Sequence, residues 1–245
     1  MSPDRAERTV EARTDALRLT HLRFSWPGDT RPTVAIDAFA LRAGERVFLA
    51  GPSGSGKSTL LGLIAGTLRP QSGQVAIAGV DAQALAQRRR DALRADHIGV
   101  IFQQFNLLPF LSALDNVLLS VRFSKRRAQR AAARDGSPRA QALRLLTALG
   151  LQAELIQRPA AQLSVGQQQR VAAARALLGA PELILADEPT SALDADRRRE
   201  FLELLLGECA AAGSALLFVS HDRALQPWFD RSVELLSLQP QEASV

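Results

Sequence analysis

The sequence predicts an α/β fold that is interrupted by a helical insertion. Short apolar runs typical of strands alternate with helical patterns in the first hundred residues and again after residue 183. A glycine-rich loop follows directly after the strand-like run 46–50. Between residues 104 and 162 the strand signals vanish and helical patterns dominate. These observations together predict a core with a mixed β-sheet and one inserted α-helical subdomain.

The individual elements follow from the apolar periodicity along the chain. Before the insertion, the patterns predict strands at 17–26, 33–50, 74–78 and 98–102 and helices at 60–68 and 82–95. After it, they predict helices at 165–178 and 195–212 and strands at 183–186 and 215–220. We therefore expect residues 1–103 and 164–245 to form the core, residues 104–163 the helical subdomain, and the whole chain one domain.

Within the insertion, the clearest helical patterns lie at 113–121 and 139–149. The segment 124–139 between them is polar and basic and contains Gly136 and Pro138. Because glycine and proline interrupt regular structure, we expect this segment to be a mobile stretch of surface.

The bulk composition excludes several classes of protein. The 245 residues contain no run of about 18 apolar residues that could span a membrane, so a transport function would need another chain to form the pore. The N-terminal stretch mixes both charge signs and lacks an apolar signal region, which predicts a cytoplasmic protein. The single cysteine, Cys209, lies in an apolar helical pattern and is expected to be a buried thiol without a disulfide.

The net charge of +5 raises the question of a nucleic-acid partner. The arginine-rich clusters at 88–90, 125–127 and 197–199 are short and scattered, and no aromatic residues interleave with them. We interpret the clusters as solvated faces and expect no nucleic-acid partner. Weak attraction to anionic lipid is the alternative that this charge leaves open.

The strongest motif is the glycine-rich loop at 51–59. Its sequence fits G-x-x-x-x-G-K-[ST] and lies between a predicted strand and a predicted helix, as a phosphate-binding loop requires. We expect the backbone N–H groups, the helix N-terminus and Lys57 to bind the phosphates of ATP, and Ser58 to be a Mg²⁺ ligand. The predicted ATP-binding residues of the loop are Gly51, Pro52, Ser53, Gly54, Ser55, Gly56, Lys57, Ser58 and Thr59. The fold predicted is therefore a P-loop NTPase core.

Two carboxylates follow the apolar run 183–186. Asp187 and Glu188 thus lie at the carboxyl end of a buried strand, where ligands of α/β proteins bind. We expect Asp187 to hold Mg²⁺ and Glu188 to accept a proton from the water that attacks the γ-phosphate.

A phosphate-binding loop alone leaves kinases, GTPases, helicases and transport ATPases open. The sequence Leu163-Ser-Val-Gly-Gln-Gln-Gln-Arg170 resembles the LSGGQ signature of ABC ATPases and precedes the carboxylate strand. Ser164 supplies a hydroxyl and Gly166 a bare backbone N–H at a predicted helix N-terminus, which makes a second anion site. The resemblance implies that Ser164, Gly166 and Gln167 contact ATP bound to a partner subunit.

Other positions of the ABC ATPase family follow in order, so the resemblance covers residues 16–236. By this resemblance, Gln103 touches Mg²⁺ and the attacking water, and His221 contacts the γ-phosphate. The sequence at 191–194 resembles the loop that contacts the partner subunit. With Lys57 and Glu188, these residues make up the expected catalytic set; Ser58, Gln103 and Asp187 are the expected metal ligands.

Trp26 resembles the aromatic residue that stacks on adenine in the family. The chain contains no tyrosine, the residue often found there, and a tryptophan face can stack equally well. Phe24 is the alternative, because strand alternation places it on the same face.

The family resemblance implies a homodimer or heterodimer with shared ATP sites. It also implies Mg²⁺ as cofactor, integral membrane permease subunits as partners, and a peripheral position on the cytoplasmic face of the inner or plasma membrane. The run 100–117 resembles the lipoprotein-release, macrolide-export and cell-division subgroup. A methionine-type importer ATPase, a non-transport ABC ATPase and a P-loop kinase are the alternatives, and neither cargo nor its direction follows from the sequence. Val165 replaces the first glycine of the signature, and we nevertheless expect hydrolysis.

Overall fold

The computed structural model describes residues 15–238, which contain two β-sheets and eight α-helices. The strands are β1 (Asp15–Phe24), β2 (Val34–Arg42), β3 (Arg46–Ala50), β4 (Ser72–Ile77), β5 (Val80–Asp81), β6 (Ile98–Ile101), β7 (Leu183–Asp187), β8 (Ala215–Val219) and β9 (Arg231–Glu234). The helices are α1 (Lys57–Ile64), α2 (Gln87–His97), α3 (Ala113–Arg122), α4 (Lys125–Asp135), α5 (Pro138–Ala148), α6 (Val165–Leu177), α7 (Ala195–Ala212) and α8 (Leu235–Leu238). None of these helices combines the length and apolarity that a membrane crossing requires.

The predicted α/β core is confirmed, and its strands divide into one parallel and one antiparallel sheet. The parallel sheet has the order β6-β7-β8-β3-β9, and the antiparallel sheet has the order β2-β1-β4-β5. Helix α2 begins at Gln87, later than predicted, because residues 80–81 pair with β4 and the Asp81 carboxylate accepts a hydrogen bond from the Gln83 backbone.

Strands β3, β6, β7 and β8 of the parallel sheet are largely buried on both faces, which explains their continuous apolar runs, whereas the edge strand β9 is polar and partly exposed. Phe48 and Phe218 point toward the helical side, where their rings stack with centroids 6.2 Å apart. Leu49 and Leu217, their neighbours in sequence, point to the opposite face and pack with α1 and the antiparallel sheet. Because neither face of these four strands is open to water, their polar side chains are confined to the strand ends.

The insertion between β6 and β7 contains α3, α4 and α5. The predicted helices at 113–121 and 139–149 are confirmed as α3 and α5. Ser112 and Ser137 cap them, since each side chain accepts a hydrogen bond from a backbone N–H of the first turn. The expected burial of Cys209 is also found, and burial raises the pKa of its thiol to about 12.

The prediction of a mobile segment at 124–139 is wrong, because most of it forms α4. Ser124 caps the start of the helix by accepting a hydrogen bond from the backbone of Arg127. Gly136 ends the helix in the left-handed conformation with φ 80°, and Pro138 is the first residue of α5. The glycine and proline therefore mark the junction of two helices.

The interpretation of the three arginine clusters as solvated faces is wrong for one arginine in each. Arg90 and Arg127 are buried, and Arg198 is largely covered. Arg127 is only 3% exposed, and its guanidinium donates to the carbonyls of Leu178 and Ala176, both at 2.7 Å. Burial lowers its pKa to about 10, so it stays charged at neutral pH, with the Asp96 and Glu182 carboxylates nearby. These hydrogen bonds connect α4 to the C-terminal end of α6.

Glu182 reinforces the same junction from the start of β7. Its carboxylate lies 2.9 Å from a nitrogen of Arg126, 2.6 Å from one of Arg130 and 3.0 Å from Nδ1 of His97. Burial raises the pKa of this carboxyl, but His97 and Arg130 outweigh that effect and hold the pKa well below its usual range. Basic residues of α4 and α2 therefore share one acidic partner.

Replacing Arg127 should destabilise the protein strongly. Arg127→Met keeps the helix propensity and side-chain length but leaves several buried carbonyls without a donor, so the free energy of unfolding should fall by about 3 kcal/mol. Chemical denaturation of the purified chain measures this change. Lys125→Met, on an exposed position of the same helix, should change it by less than about 0.5 kcal/mol. Equal effects of the two variants would contradict the role of Arg127 in connecting α4 to α6.

Candidate functional site

The predicted catalytic and metal-binding residues, together with the glycine-rich loop, lie at one edge of the parallel sheet. Strands β6, β7, β8 and β3 are neighbours that run in the same direction, so their carboxyl ends lie side by side. Gln103 follows β6, Glu188 follows β7, His221 follows β8, and the loop 51–59 follows β3. The fold thus collects four stretches that are far apart in the sequence.

The glycine-rich loop has the backbone geometry of an anion-binding nest. Gly54 and Gly56 are left-handed, with φ of 78° and 94°. A side chain at Gly56 would also place its Cβ 2.7 Å from the carbonyl oxygen of Thr33, so only glycine fits there. Helix α1 begins directly after this residue without a side-chain cap, and Lys57 Nζ donates to the carbonyls of Gly51 and Pro52 at 2.8 Å each.

Two of the predicted metal ligands are neighbours. The hydroxyl of Ser58, at the start of α1, lies near the carboxylate of Asp187, at the end of β7. Burial raises the pKa of Asp187, and the negative charge of Glu188 adds to this, whereas Ser58 and Lys57 oppose it. A half-buried carboxylate beside a hydroxyl and a second carboxylate is a set of oxygen donors that Mg²⁺ prefers.

Glu188 and His221 form a second contact pair at this edge. Nδ1 of His221 lies 2.9 and 3.0 Å from the two carboxylate oxygens of Glu188. Glu188 has a positive φ of 45°, an uncommon conformation for a non-glycine residue, and its backbone N–H donates to the carbonyl of Val219 at 3.0 Å. The backbone therefore turns sharply after β7, and the carboxylate meets the end of β8.

Trp26 and Phe24 occupy different environments, which separates the two candidates for adenine stacking. Phe24 is buried in the core, whereas Trp26 is 45% exposed. Their rings meet edge to face with centroids 5.1 Å apart. Trp26 lines a cavity of about 390 Å³ together with Asp29, Thr33 and residues of the glycine-rich loop and the first turn of α1. Phe24 thus supports the tryptophan from below.

The signature lies at the N-terminus of α6 and on the surface. Ser164 and Gln167 form a reciprocal capping box, in which the Gln167 side chain accepts from the Ser164 N–H at 2.9 Å. Val165 is 50% exposed, and Gly166 lies beside the side chain of Leu193. None of these residues lines the cavity beside Trp26. We call the glycine-rich loop 51–59 the cradle. Within the described part of the chain, the cradle and the signature are therefore separate surfaces.

Gln103 is exposed in a turn that an unpredicted arginine holds in place. Phe105 and Asn106 both have positive φ, at 57° and 49°, and Arg175 of α6 donates to their carbonyls at 2.5 and 2.6 Å. Burial lowers the pKa of Arg175. Beside this turn lies a groove of about 650 Å³. Sequence reasoning missed Arg175, since its partners are main-chain atoms that leave no motif.

Sequence reasoning also missed Arg198 and Asp222. Arg198 ion-pairs with Asp222, the residue after His221, and donates to the carbonyl of Leu193 at 3.0 Å. The only signal available was the position of each residue next to a recognised stretch, 191–194 for the arginine and His221 for the aspartate.

Comparisons with known proteins identify the family of this chain. A family model described as ABC transporter matches residues 36–191. The chain is 46% identical over 229 residues to the lipoprotein-releasing system ATP-binding protein LolD of Novosphingobium aromaticivorans, which covers 89% of this chain and 95% of that protein. It is 39% identical over 222 residues to the macrolide export ATP-binding/permease protein MacB of Burkholderia pseudomallei, which covers 89% of this chain but only 32% of that longer protein.

A solved structure shows the same fold. The dimeric structure of MJ0796, a bacterial ABC transporter cassette, superposes with a TM-score of 0.77 at 35% identity, covering 89% of this chain and 93% of that one. A second structure of the same cassette, in a post-hydrolysis state bound to ADP and Pi, gives the same values.

Trp26 should report directly on nucleotide binding. Trp228 is the only other tryptophan, so Trp228→Phe leaves Trp26 as the single fluorophore. ATP should then quench its emission. Trp26→Ala should weaken ATP binding by about tenfold, as the loss of one base-stacking contact predicts, whereas Trp26→Tyr should keep most of the affinity. Equilibrium titration with a labelled nucleotide measures both. Unchanged affinity in Trp26→Ala would rule out the stacking role.

Proposed function

The chain belongs to the ABC transporter family, and we propose that it is the ATP-hydrolysing subunit that drives an exporter or envelope-remodelling system through ATP-dependent dimer closure. The observation that carries this proposal is the convergence of four loops on the carboxyl edge of the parallel sheet, with a separate anion-binding helix terminus at Ser164. Relatives named for lipoprotein release and macrolide export favour export or envelope work over the importer alternative.

ATP binding begins at the cradle. The free N–H groups of the left-handed loop and of the first turn of α1 hold the phosphates, and Lys57 moves its donors from the carbonyls of Gly51 and Pro52 to phosphate oxygens. Trp26 covers the adenine face. Ser58 and Asp187, which are neighbours, together with Gln103 would hold Mg²⁺. When bound, Mg²⁺ neutralises charge that develops on the phosphate oxygens.

Hydrolysis requires a base at the end of β7. Glu188 accepts a proton from the attacking water through its carboxylate, and His221, hydrogen-bonded through Nδ1, fixes the direction in which that carboxylate points. The Nε2 atom on the opposite side of the ring remains available to the γ-phosphate. The kinase alternative has no use for this pair or for the signature, which supports hydrolysis by water.

The signature completes the site of a partner subunit. Ser164, Gly166 and Gln167 lie at the surface end of α6, apart from the cavity beside the cradle of their own chain. Two chains placed head to tail bring each signature onto the other's ATP, which forms two shared sites. ATP then stabilises the closed dimer by joining two anion-binding surfaces, and hydrolysis removes that link.

The groove beside Gln103 is the surface for the membrane permease. Its walls carry Phe102 and Asn106 at one end, residues 91–95 of α2 along one side, and Phe123 at the end of α3. Phe123 is 77% and Phe110 74% exposed. Such exposure is unusual for aromatic side chains that do not bind another protein. We propose that the chain binds through this groove at the cytoplasmic face of the membrane, as a peripheral subunit.

The variant Glu188→Gln should separate binding from hydrolysis. The amide keeps the shape but cannot accept the proton, so turnover should fall by about 10² to 10⁴-fold while ATP affinity stays. With ATP, this variant should accumulate as a dimer in size-exclusion chromatography. Glu203→Gln, an exposed change on α7, is the control and should behave as the parent chain. Unchanged turnover in Glu188→Gln would exclude Glu188 as the base.

Val165 should be compatible with turnover. Its side chain is exposed at the first position of α6, so it leaves the Ser164 hydroxyl and the Gly166 N–H available. We expect Val165→Gly to change the ATPase rate of the purified chain by less than about threefold, because no contact to phosphate is gained. An inactive parent chain whose turnover returns in Val165→Gly would contradict this expectation.

A further inference from the structure

A polar network at the start of α7 joins the signature to the catalytic carboxylate of the same chain. At its centre is Arg198, one turn into the helix. One nitrogen of its guanidinium donates to the carbonyl of Leu193 at 3.0 Å, and the other pairs with the carboxylate of Asp222. Only 26% of each of the two paired side chains is exposed, so water screens this pair less than a surface pair.

On one side the network reaches the signature. Leu193 is nearly buried, and its Cδ2 atom would lie 3.6 Å from a Cβ placed on Gly166. The side chain of Leu193 therefore lies next to the backbone of Gly166, and a shift of the α6 N-terminus changes the space that Leu193 occupies. Because Arg198 holds the carbonyl of the same residue, a displacement of Leu193 is passed to the guanidinium.

On the other side the network reaches the hydrolytic pair. Asp222 is fixed in orientation, since its carboxylate accepts from the backbone of Ala224 at 3.1 Å and its own N–H donates to Ser220 Oγ at 3.1 Å. In the sequence His221 lies between Ser220 and Asp222, and its Nδ1 atom contacts Glu188. Asp222 thus anchors the backbone next to His221, which carries the imidazole ring.

We infer that Arg198 is a positioning residue that aligns His221 with Glu188 only when the signature of the same chain is seated. This inference rests on the proposed function. In the dimer, each signature is seated on the partner's nucleotide, so Arg198 makes hydrolysis at one site depend on occupation of the other. A guanidinium suits this role because its planar fork holds two acceptors at a fixed angle, which a lysine ammonium does not.

The test compares Arg198→Met and Arg198→Lys with Arg199→Met, a neighbouring exposed arginine of the same helix. The readouts on the purified full chain are the ATPase rate, the apparent KM, the Hill coefficient for ATP and, with Glu188→Gln added, the ATP-dependent dimer. In Arg198→Met, the rate should fall by about tenfold and the Hill coefficient toward 1, with KM and dimer formation little changed. The rate and Hill coefficient of Arg198→Lys should lie between those of Arg198→Met and the parent chain. Those of Arg199→Met should match the parent.

A second arm tests the pairing itself. Asp222→Asn should lower the rate as Arg198→Met does, and the double variant should lose no more than either single one, as expected for residues that act as a unit. Equal rates and Hill coefficients in Arg198→Met and Arg199→Met, or additive losses in the double variant, would overturn the inference. Loss of the ATP-dependent dimer in the parent background with Glu188→Gln alone would instead overturn the proposed function.

Discussion

Burial of both faces of the parallel sheet is the constraint on which the site depends. The strands β3, β7 and β8 are apolar along their length and contribute side chains to two separate hydrophobic clusters. A charged group within them would lose its hydration without a partner. Charged groups can therefore enter only where a strand ends, and Asp187, the last residue of β7, already has a raised pKa because it is half buried. The position of the candidate site follows from the same burial that stabilises the core.

Arginines that bind main-chain carbonyls connect the helical insertion to this core. Helix α6 is held by three of them: Arg127 at its C-terminal end, Arg170 through the carbonyl of Leu149, and Arg175 through the turn after Gln103. Since α6 begins with the signature, a shift of that turn acts on the signature through a well-packed helix. Helix α6 thus connects the groove proposed for the permease with the surface proposed for the partner's ATP.

The sequence predicted what local patterns determine. The cradle, the carboxylate strand and most helices were recognisable because their residues are adjacent and their periodicity is regular. Helix α4 differs from the prediction although Ser124 and Gly136 are suitable caps, because its basic composition resembles that of a solvated loop. The burial of Arg127 does not follow from the sequence, since its carbonyl partners lie 29 to 51 residues away and carry no side-chain signal. Strand alternation places Trp26 and Phe24 on the same face and so does not decide which of them stacks on adenine. The packing of the core does, because it buries Phe24 and leaves Trp26 exposed.

The two helix N-termini differ in a way that orders the proposed cycle. Helix α1 begins without a side-chain cap, so its N–H groups gain hydrogen bonds when phosphate binds. Helix α6 satisfies its first turn with the Ser164 and Gln167 capping box, and is stable without a ligand. The Ser164 hydroxyl accepts a hydrogen bond within that box and keeps its own proton free to donate. In the proposed cycle, nucleotide therefore binds first to the cradle, where the terminus of α1 has no side-chain cap, and the signature adds its donors afterwards, when a second chain approaches.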